Sequence, residues 1–194
     1  MKVLVVDLDG TLFNTQARYN ACLAEQSVAS LDSLHGEARR KFWECYQSPR
    51  YMDFDIPNKD VLNTVKKAKE KGWAVVLLTG RNGETQRDKT LEQLDRFGVP
   101  YDYLLMRNPG DLRKETEYKA EILRGLKGSC DIVLIDDNAE VRKLSPKAFP
   151  PDETPSLDEA KGGGELNAVF YTKYPPVIMK GVNRVEDEEV YDLE

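Results

Sequence analysis

The sequence predicts an α/β protein, a Rossmann-like parallel sheet sandwiched between helices, on three observations. Continuous apolar runs recur at Val3–Val6, Trp73–Leu78, Tyr103–Met106 and Ile132–Ile135, as strands covered on both faces require. Segments with apolar residues spaced for one helical face separate them, which calls for parallel pairing through crossovers. Each run also stops at a polar cluster, and parallel sheets bind ligands beyond the carboxyl ends of their strands.

The first run, largely β-branched, ends in Asp7-Leu8-Asp9-Gly10-Thr11-Leu12. Residues 13–56 lack a strand pattern. Ala21, Leu23, Ala24, Val28, Leu31 and Leu34 point to one or two helices, and Phe42, Trp43 and Tyr46 share a side of a further helix over 37–46. We read the segment as a small helical cap inserted over the strand end. Pro57 is expected to open the next helix at its first turn, with Val61, Leu62, Val65 and Ala68 inward and Gly72 beyond its end. The second strand closes at Thr79-Gly80-Arg81-Asn82-Gly83, a helix over 84–97 follows, and the third strand closes at Arg107-Asn108-Pro109-Gly110-Asp111. A helix over 112–126 then carries Lys119, and the fourth strand ends at Asp136-Asp137-Asn138. Residues 145–194 read as an irregular extension rich in Pro and Gly, with short edge strands at 168–171 and 177–179 and an acidic tail.

With 194 residues the chain fits a single domain over 1–194. No apolar run approaches the ~20 residues of a membrane span, and Asp7 interrupts the first run too early for a signal peptide, so no membrane association and a cytoplasmic location are expected. Cys22, Cys45 and Cys130 are scattered and odd in number, which predicts free buried thiols. A net charge of -6 excludes a protein that coats nucleic acid through overall basicity but leaves room for a local basic groove.

Taken together, the strand ends place Asp7, Asp9, Asp136 and Asp137 in one region. Carboxylates gathered at buried strand ends repel one another unless a cation lies between them, and all-oxygen ligands suit Mg²⁺. Thr79, Arg81, Arg107 and Lys119 supply donors suited to phosphate oxygens. The combination reads as phosphoryl chemistry. One carboxylate attacks phosphorus, and the other protonates the leaving oxygen and later activates water.

At this point the residues resemble a known family. Asp7-Leu8-Asp9-Gly10-Thr11-Leu12 is similar to the DxDGT first motif of the haloacid dehalogenase-like superfamily, and Thr79, Lys119 and Asp136-Asp137 resemble its later motifs in order. The resemblance implies a phosphatase with Asp7 as nucleophile, Asp9 as acid and base, and Thr79 and Lys119 on the phosphoryl group. It also implies Mg²⁺ held by Asp7, the Asp9 main-chain carbonyl and the Asp136-Asp137 pair. Finer detail, Leu77–Arg81, Leu104–Arg107 and Gly110–Lys114 with Lys119, is similar to the phosphatase domain of phage-type polynucleotide kinase/3'-phosphatase. In that family arginines at the places of Arg81 and Arg107 contact the substrate phosphate, so Gly80, Arg81 and Arg107 join the expected substrate site. The match runs from about Val3 to Leu144 and leaves out the cap.

The expected substrate is therefore the 3'-phosphate of a polynucleotide or nucleotide, with a nucleic acid 3' end as partner. A small phosphomonoester, such as a nucleoside monophosphate or sugar phosphate, is the alternative, and a non-catalytic phosphate-binding module is a third class. No GxxxxGK[ST] loop occurs, so no kinase activity is expected of this chain; a separate kinase or ligase partner stands as an open expectation. A receiver domain is disfavoured because the third strand ends in Arg107-Asn108, not in the aspartate such a domain phosphorylates there. Structural readings stand beside these: a salt bridge for Arg81 and Arg107, a surface position for His35, and core packing for the aromatics near Arg39-Arg40-Lys41, which alternatively stack bases.

Overall fold

The computed structural model describes residues 1–126, 130–160, 166 and 174–181. Its strands are β1 (Lys2–Val6), β2 (Phe13–Asn14), β3 (Ile56–Pro57), β4 (Ala74–Asn82), β5 (Tyr103–Arg107), β6 (Asp131–Ile135), β7 (Ala148–Phe149) and β8 (Val177–Lys180). The helices are α1 (Gln16–Glu25), α2 (Gly36–Tyr46), α3 (Lys59–Glu70), α4 (Arg87–Arg96), α5 (Glu115–Leu126) and α6 (Ala139–Arg142). Among the described residues the main sheet has the order β7-β6-β1-β4-β5-β8, parallel except for β8, which runs antiparallel to β5.

The continuous apolar pattern of β1 follows from two helix layers. Leu4 and Val6 pack with Val61 and Val65 of α3 and Leu94 of α4, while Val3 and Val5 pack with Tyr118, Ile122 and Leu123 of α5 and Val141 of α6. Both faces of the strand are thus dry. From β1 the chain moves outward through β4 to β5 and then returns to β6 on the other side of β1. The crevice opened by that reversal lies between the ends of β1 and β6, where Asp7 and Asp136 emerge.

Between β1 and α3, the short antiparallel ribbon of β2 and β3 carries α1 and α2 as an antiparallel pair with their own apolar cluster, Cys22, Leu23, Leu34, Phe42 and Cys45. Here the structure corrects the expectation of free thiols. Cys22 and Cys45 form a disulfide with a Cα–Cα separation of 5.9 Å, because pairing α1 with α2 brings together positions that are 23 apart in sequence. Cys130 takes no part in it.

Helix α3 begins differently from the expectation based on Pro57. Pro57 lies in β3, and Asn58 caps the helix by accepting a hydrogen bond from the Asp60 amide at 3.1 Å. Ala148–Phe149, expected to be irregular, pairs with β6 as a parallel edge strand. The segment beyond it packs back on the core, where Trp73 Nε1 donates to the Asp158 carbonyl at 2.6 Å. The edge strand expected at 177–179 forms as β8, and the one expected at 168–171 lies outside the described residues. No helix among the described residues is long and apolar enough to cross a membrane.

Candidate active site

The loop after β1 is fixed by its own backbone. Asp7 N donates to the Ile135 carbonyl at 3.0 Å, Gly10 N to Phe13 at 2.9 Å and Leu12 N to the Asp7 carbonyl at 3.2 Å. Thr11 Oγ1 donates to Asp7 Oδ2 at 3.3 Å and accepts from the Asp137 amide at 2.9 Å, which ties the β1 end to the β6 end. Arg142 braces the same turn by donating to the carbonyls of Asp136 and Asp137 at 2.8 and 2.7 Å.

Gly10 is required twice over. Its φ of +81° belongs to glycine, and a Cβ there would sit 2.5 Å from Asp137 Oδ2 and 2.9 Å from Asp137 Cγ. Gly10→Ala is therefore expected to cost about 1–2 kcal/mol of stability from the backbone alone. It should also push the Asp137 carboxylate out of place and weaken divalent-cation binding at that corner. Thermal denaturation without and with added Mg²⁺ checks the two effects.

Lys119 stands at the centre of an acidic corner. Its Nζ lies 2.8 Å from Asp7 Oδ1, Asp136 Oδ2 and Glu115 Oε1, in a buried setting. Burial works against the ammonium charge, yet Asp7, Asp136 and Glu115 hold its pKa well above the ordinary lysine value. Burial also raises Asp7, Asp136 and Asp137 above the usual carboxylate range. For Asp7 the charges of Asp136 and Glu115 add to that effect, and Lys119 opposes it.

Carboxylate oxygens of Asp7, Asp136 and Asp137 lie within 4.8 Å of one another. Counting Glu115, four carboxylates face one ammonium, and this all-oxygen, charge-deficient donor set fits a hard divalent cation such as Mg²⁺. Asp9 also stands among the expected metal residues, but its side chain turns elsewhere.

Asp9 belongs to a second, self-neutral group. The β4–β5 register slips between Thr79 and Asn82, a bulge that redirects Arg81. The Arg81 Nη2 lies 2.6 Å from Asp9 Oδ1 and 3.3 Å from Asp55 Oδ2, while Nη1 donates to Thr90 Oγ1 at 3.0 Å and to Gln93 Oε1 at 2.7 Å. Arg18 of α1, fully buried, pairs with Asp9 and with Asp55 Oδ1, the latter at 3.2 Å, and lies 4.5 Å over the Tyr46 ring. Burial alone would raise the Asp9 pKa, but Arg81 and Arg18 outweigh it and bring the group down to about 2. Two guanidinium groups thus balance two carboxylates.

A cleft of about 800 Å³ opens above these groups, lined by Asp7, Asp9, Thr79, Gly80, Arg81 and Arg107 among others. The buried Thr79 accepts the Arg81 amide at 3.2 Å, and Gly80 gives Glu115 room, since a Cβ would lie 3.1 Å from Glu115 Oε1. Arg107 donates to the Arg113 carbonyl at 2.9 Å, lies 5.2 Å over the Tyr118 ring, and makes no ion pair among the described residues.

All the sequence-nominated residues are therefore neighbours, but Arg81 is committed to Asp9 and Asp55 while Arg107 keeps its charge open. Sequence reasoning missed Arg18, Asp55 and Glu115. The spacing of Glu115 four residues before Lys119, an i,i+4 pair, was the one local signal; Arg18 and Asp55 meet only through the folded insertion.

Comparison with known proteins agrees with this geometry. Residues 1–137 match the family model for the HAD superfamily, subfamily IIIB (acid phosphatase), and the chain belongs to that superfamily and is a phosphatase. Among solved structures, chains of the Pnkp1/Rnl/Hen1 RNA repair complex are similar at 30% identity and a TM-score of 0.54, over 77% of this chain. This chain spans 45% and 42% of those two chains' length. A haloacid dehalogenase-like hydrolase from Streptococcus pneumoniae, at 13% identity and a TM-score of 0.54 over 79% of this chain and 81% of its own, shares the fold. No relative among curated protein sequences matches.

Proposed function

We propose that the chain is a Mg²⁺-dependent phosphohydrolase that works through an aspartyl-phosphate on Asp7, with the 3'-phosphate of a polynucleotide or nucleotide as substrate. The observation that carries the chemistry is the placement of Asp7 on the cleft floor, 2.8 Å from Lys119 and grouped with Asp136 and Asp137. Asp7, Asp136, Asp137 and the Asp9 main-chain carbonyl would hold a divalent cation, which would supply charge neutralisation at the phosphoryl group.

Lys119 and Thr79 hold the phosphoryl oxygens while an Asp7 carboxylate oxygen bonds to phosphorus and the bond to the leaving oxygen breaks. Asp9 gives that oxygen a proton and then takes one from the water that cleaves the acyl phosphate. With its pKa near 2, Asp9 is a carboxylate at neutral pH and a poor acid as it stands. Of the two arginines that depress it, Arg81 lines the cleft, and drawing Arg81 from Asp9 toward an incoming phosphate would lift part of that depression.

The 3'-end reading rests on the open charge of Arg107, the small insertion at 13–56 acting as a cap that leaves the cleft accessible, and the likeness to the RNA repair complex. The match to the acid phosphatase model favours a second reading, a small phosphomonoester. Steady-state kinetics on 3'- and 5'-phosphorylated oligonucleotides and a panel of nucleoside and sugar phosphates separate the two. The 3'-phosphorylated oligonucleotide should have the highest kcat/KM, and a preference of orders of magnitude for a sugar phosphate overturns the reading. Phosphate release from none of them would return the chain to a binding module.

A further inference from the structure

The insertion's basic and aromatic residues divide sharply in the folded chain. Arg40 forms ion pairs with Glu37 and Glu44 on its own helix, and Arg39 donates to the Leu31 carbonyl at 3.3 Å. Phe42 is fully buried against the α1–α2 pair. Trp43, the next residue, is 37% exposed and lines the cleft that holds Asp7. Its ring is set by near-perpendicular contacts with Phe42 at 5.1 Å and Tyr46 at 5.9 Å. An aromatic ring fixed at the mouth of a charged cleft presents an ordered stacking surface at little entropic cost.

Lys114 also lines the cleft, is exposed, and makes no ion pair among the described residues. The cleft's volume of about 800 Å³ falls in the range of sites that enclose a ligand of drug size. It has room beyond the phosphate held over Asp7. An aromatic ring and an unspent cation are the two features that bind a single nucleic acid strand without reading its sequence.

We propose that Trp43 stacks on a base at the 3' end and that Lys114 neutralises a neighbouring phosphodiester, so that the substrate is a single-stranded 3'-phosphorylated end at least two nucleotides long. This rests on the 3'-phosphate reading above. It assigns strand recognition to the insertion and to the residue before α5.

The test compares wild type, Trp43→Ala, Trp43→Phe and Lys114→Gln on three substrates. These are a 3'-phosphorylated tetrathymidylate, the same strand with terminal bases removed, and glycerol 2-phosphate. Trp43→Ala should lower the ratio of kcat/KM for the tetranucleotide to that for glycerol phosphate about 10- to 100-fold, through KM. Trp43→Phe should retain most of it, and the abasic strand should show the loss already in wild type with little added by the mutation. Lys114→Gln should reduce the dependence of log(kcat/KM) on log[salt] by about 0.7 for the strand. Turnover of glycerol phosphate by each variant reports that it has folded. If wild type prefers 3' ends and Trp43→Ala leaves the ratio unchanged, the stacking assignment falls alone. If wild type shows no preference for 3' ends, the 3'-phosphate reading falls and this assignment with it.

Discussion

Asp7→Asn should reduce phosphate release from a generic aryl phosphate by at least about 10⁴-fold, the scale of removing a covalent nucleophile, while leaving the fold intact. Chelating the divalent cation should abolish wild-type activity to a similar degree. The stability consequence runs the other way. The folded-state pKa of Asp7 is raised by burial and by Asp136 and Glu115, with Lys119 opposing. A carboxyl group raised in this way stabilises the fold when protonated, and that contribution is lost as pH rises from the unfolded value through the folded one. Folding at neutral pH in chelator therefore carries a penalty at Asp7 that a neutral asparagine lacks, and the variant should melt at or above the wild-type temperature. Added Mg²⁺ should raise the wild-type Tm by mass action and move the Asp7→Asn Tm less. Retained turnover in Asp7→Asn would refute the mechanism; a Tm well below wild type in chelator would refute the electrostatic account alone.

The two charge groups behave differently because of their composition. Around Lys119 the carboxylates outnumber the cations, which suits the corner to an added cation. Around Asp9 and Asp55 the count closes within the chain, with Arg18 and Arg81 supplying equal opposite charge. The metal role that the family resemblance gives Asp9 runs through its main-chain carbonyl, which leaves the side chain for other partners. What the structure adds is a resting partner for that side chain. Asp55 in turn pairs with both arginines and holds them against the same end of the cleft.

The sheet was legible because burial on both faces writes itself into consecutive residues, as at Val3–Val6 and Ile132–Ile135, and because each strand end carries its own polar cluster. Short elements were not. Ala148–Phe149 and each strand of the β2–β3 ribbon have two residues, too few for any period to register, and their pairing is set by neighbours distant in sequence. The disulfide was hidden for the same reason, since spacing alone does not show that α1 and α2 lie side by side. Arg81 was located correctly in the chain, but its direction depends on a bulge whose only trace is the glycine before it. Arg18 looked like any polar helix residue. Its burial follows from where the inserted helices fold back, a property of packing and not of local pattern.

Arg18→Met should be among the most destabilising single changes in the chain. The substitution keeps much of the aliphatic volume but leaves the fully buried Asp55 facing Arg81 and Gln93 alone, and removes one of the two guanidinium groups on Asp9. Breaking a buried pair by deleting one partner costs about 3–5 kcal/mol, a Tm decrease of roughly 6–20 °C for a chain of this size. The pH dependence identifies the cause. Asp9, depressed to about 2 in the folded protein, contributes stability that is present above its unfolded value and is lost as pH falls through about 2. Without Arg18 the folded pKa rises, so the deficit of the variant should be full at neutral pH and shrink as acid removes the same contribution from wild type. Adding Asp55→Asn removes the stranded charge, so the double variant should recover part of the loss, with a coupling energy well outside the additive range of about 0.3–0.5 kcal/mol. A Tm within a degree or two of wild type, or a deficit independent of pH, would mean that Arg18 is not the charge that holds Asp9 down.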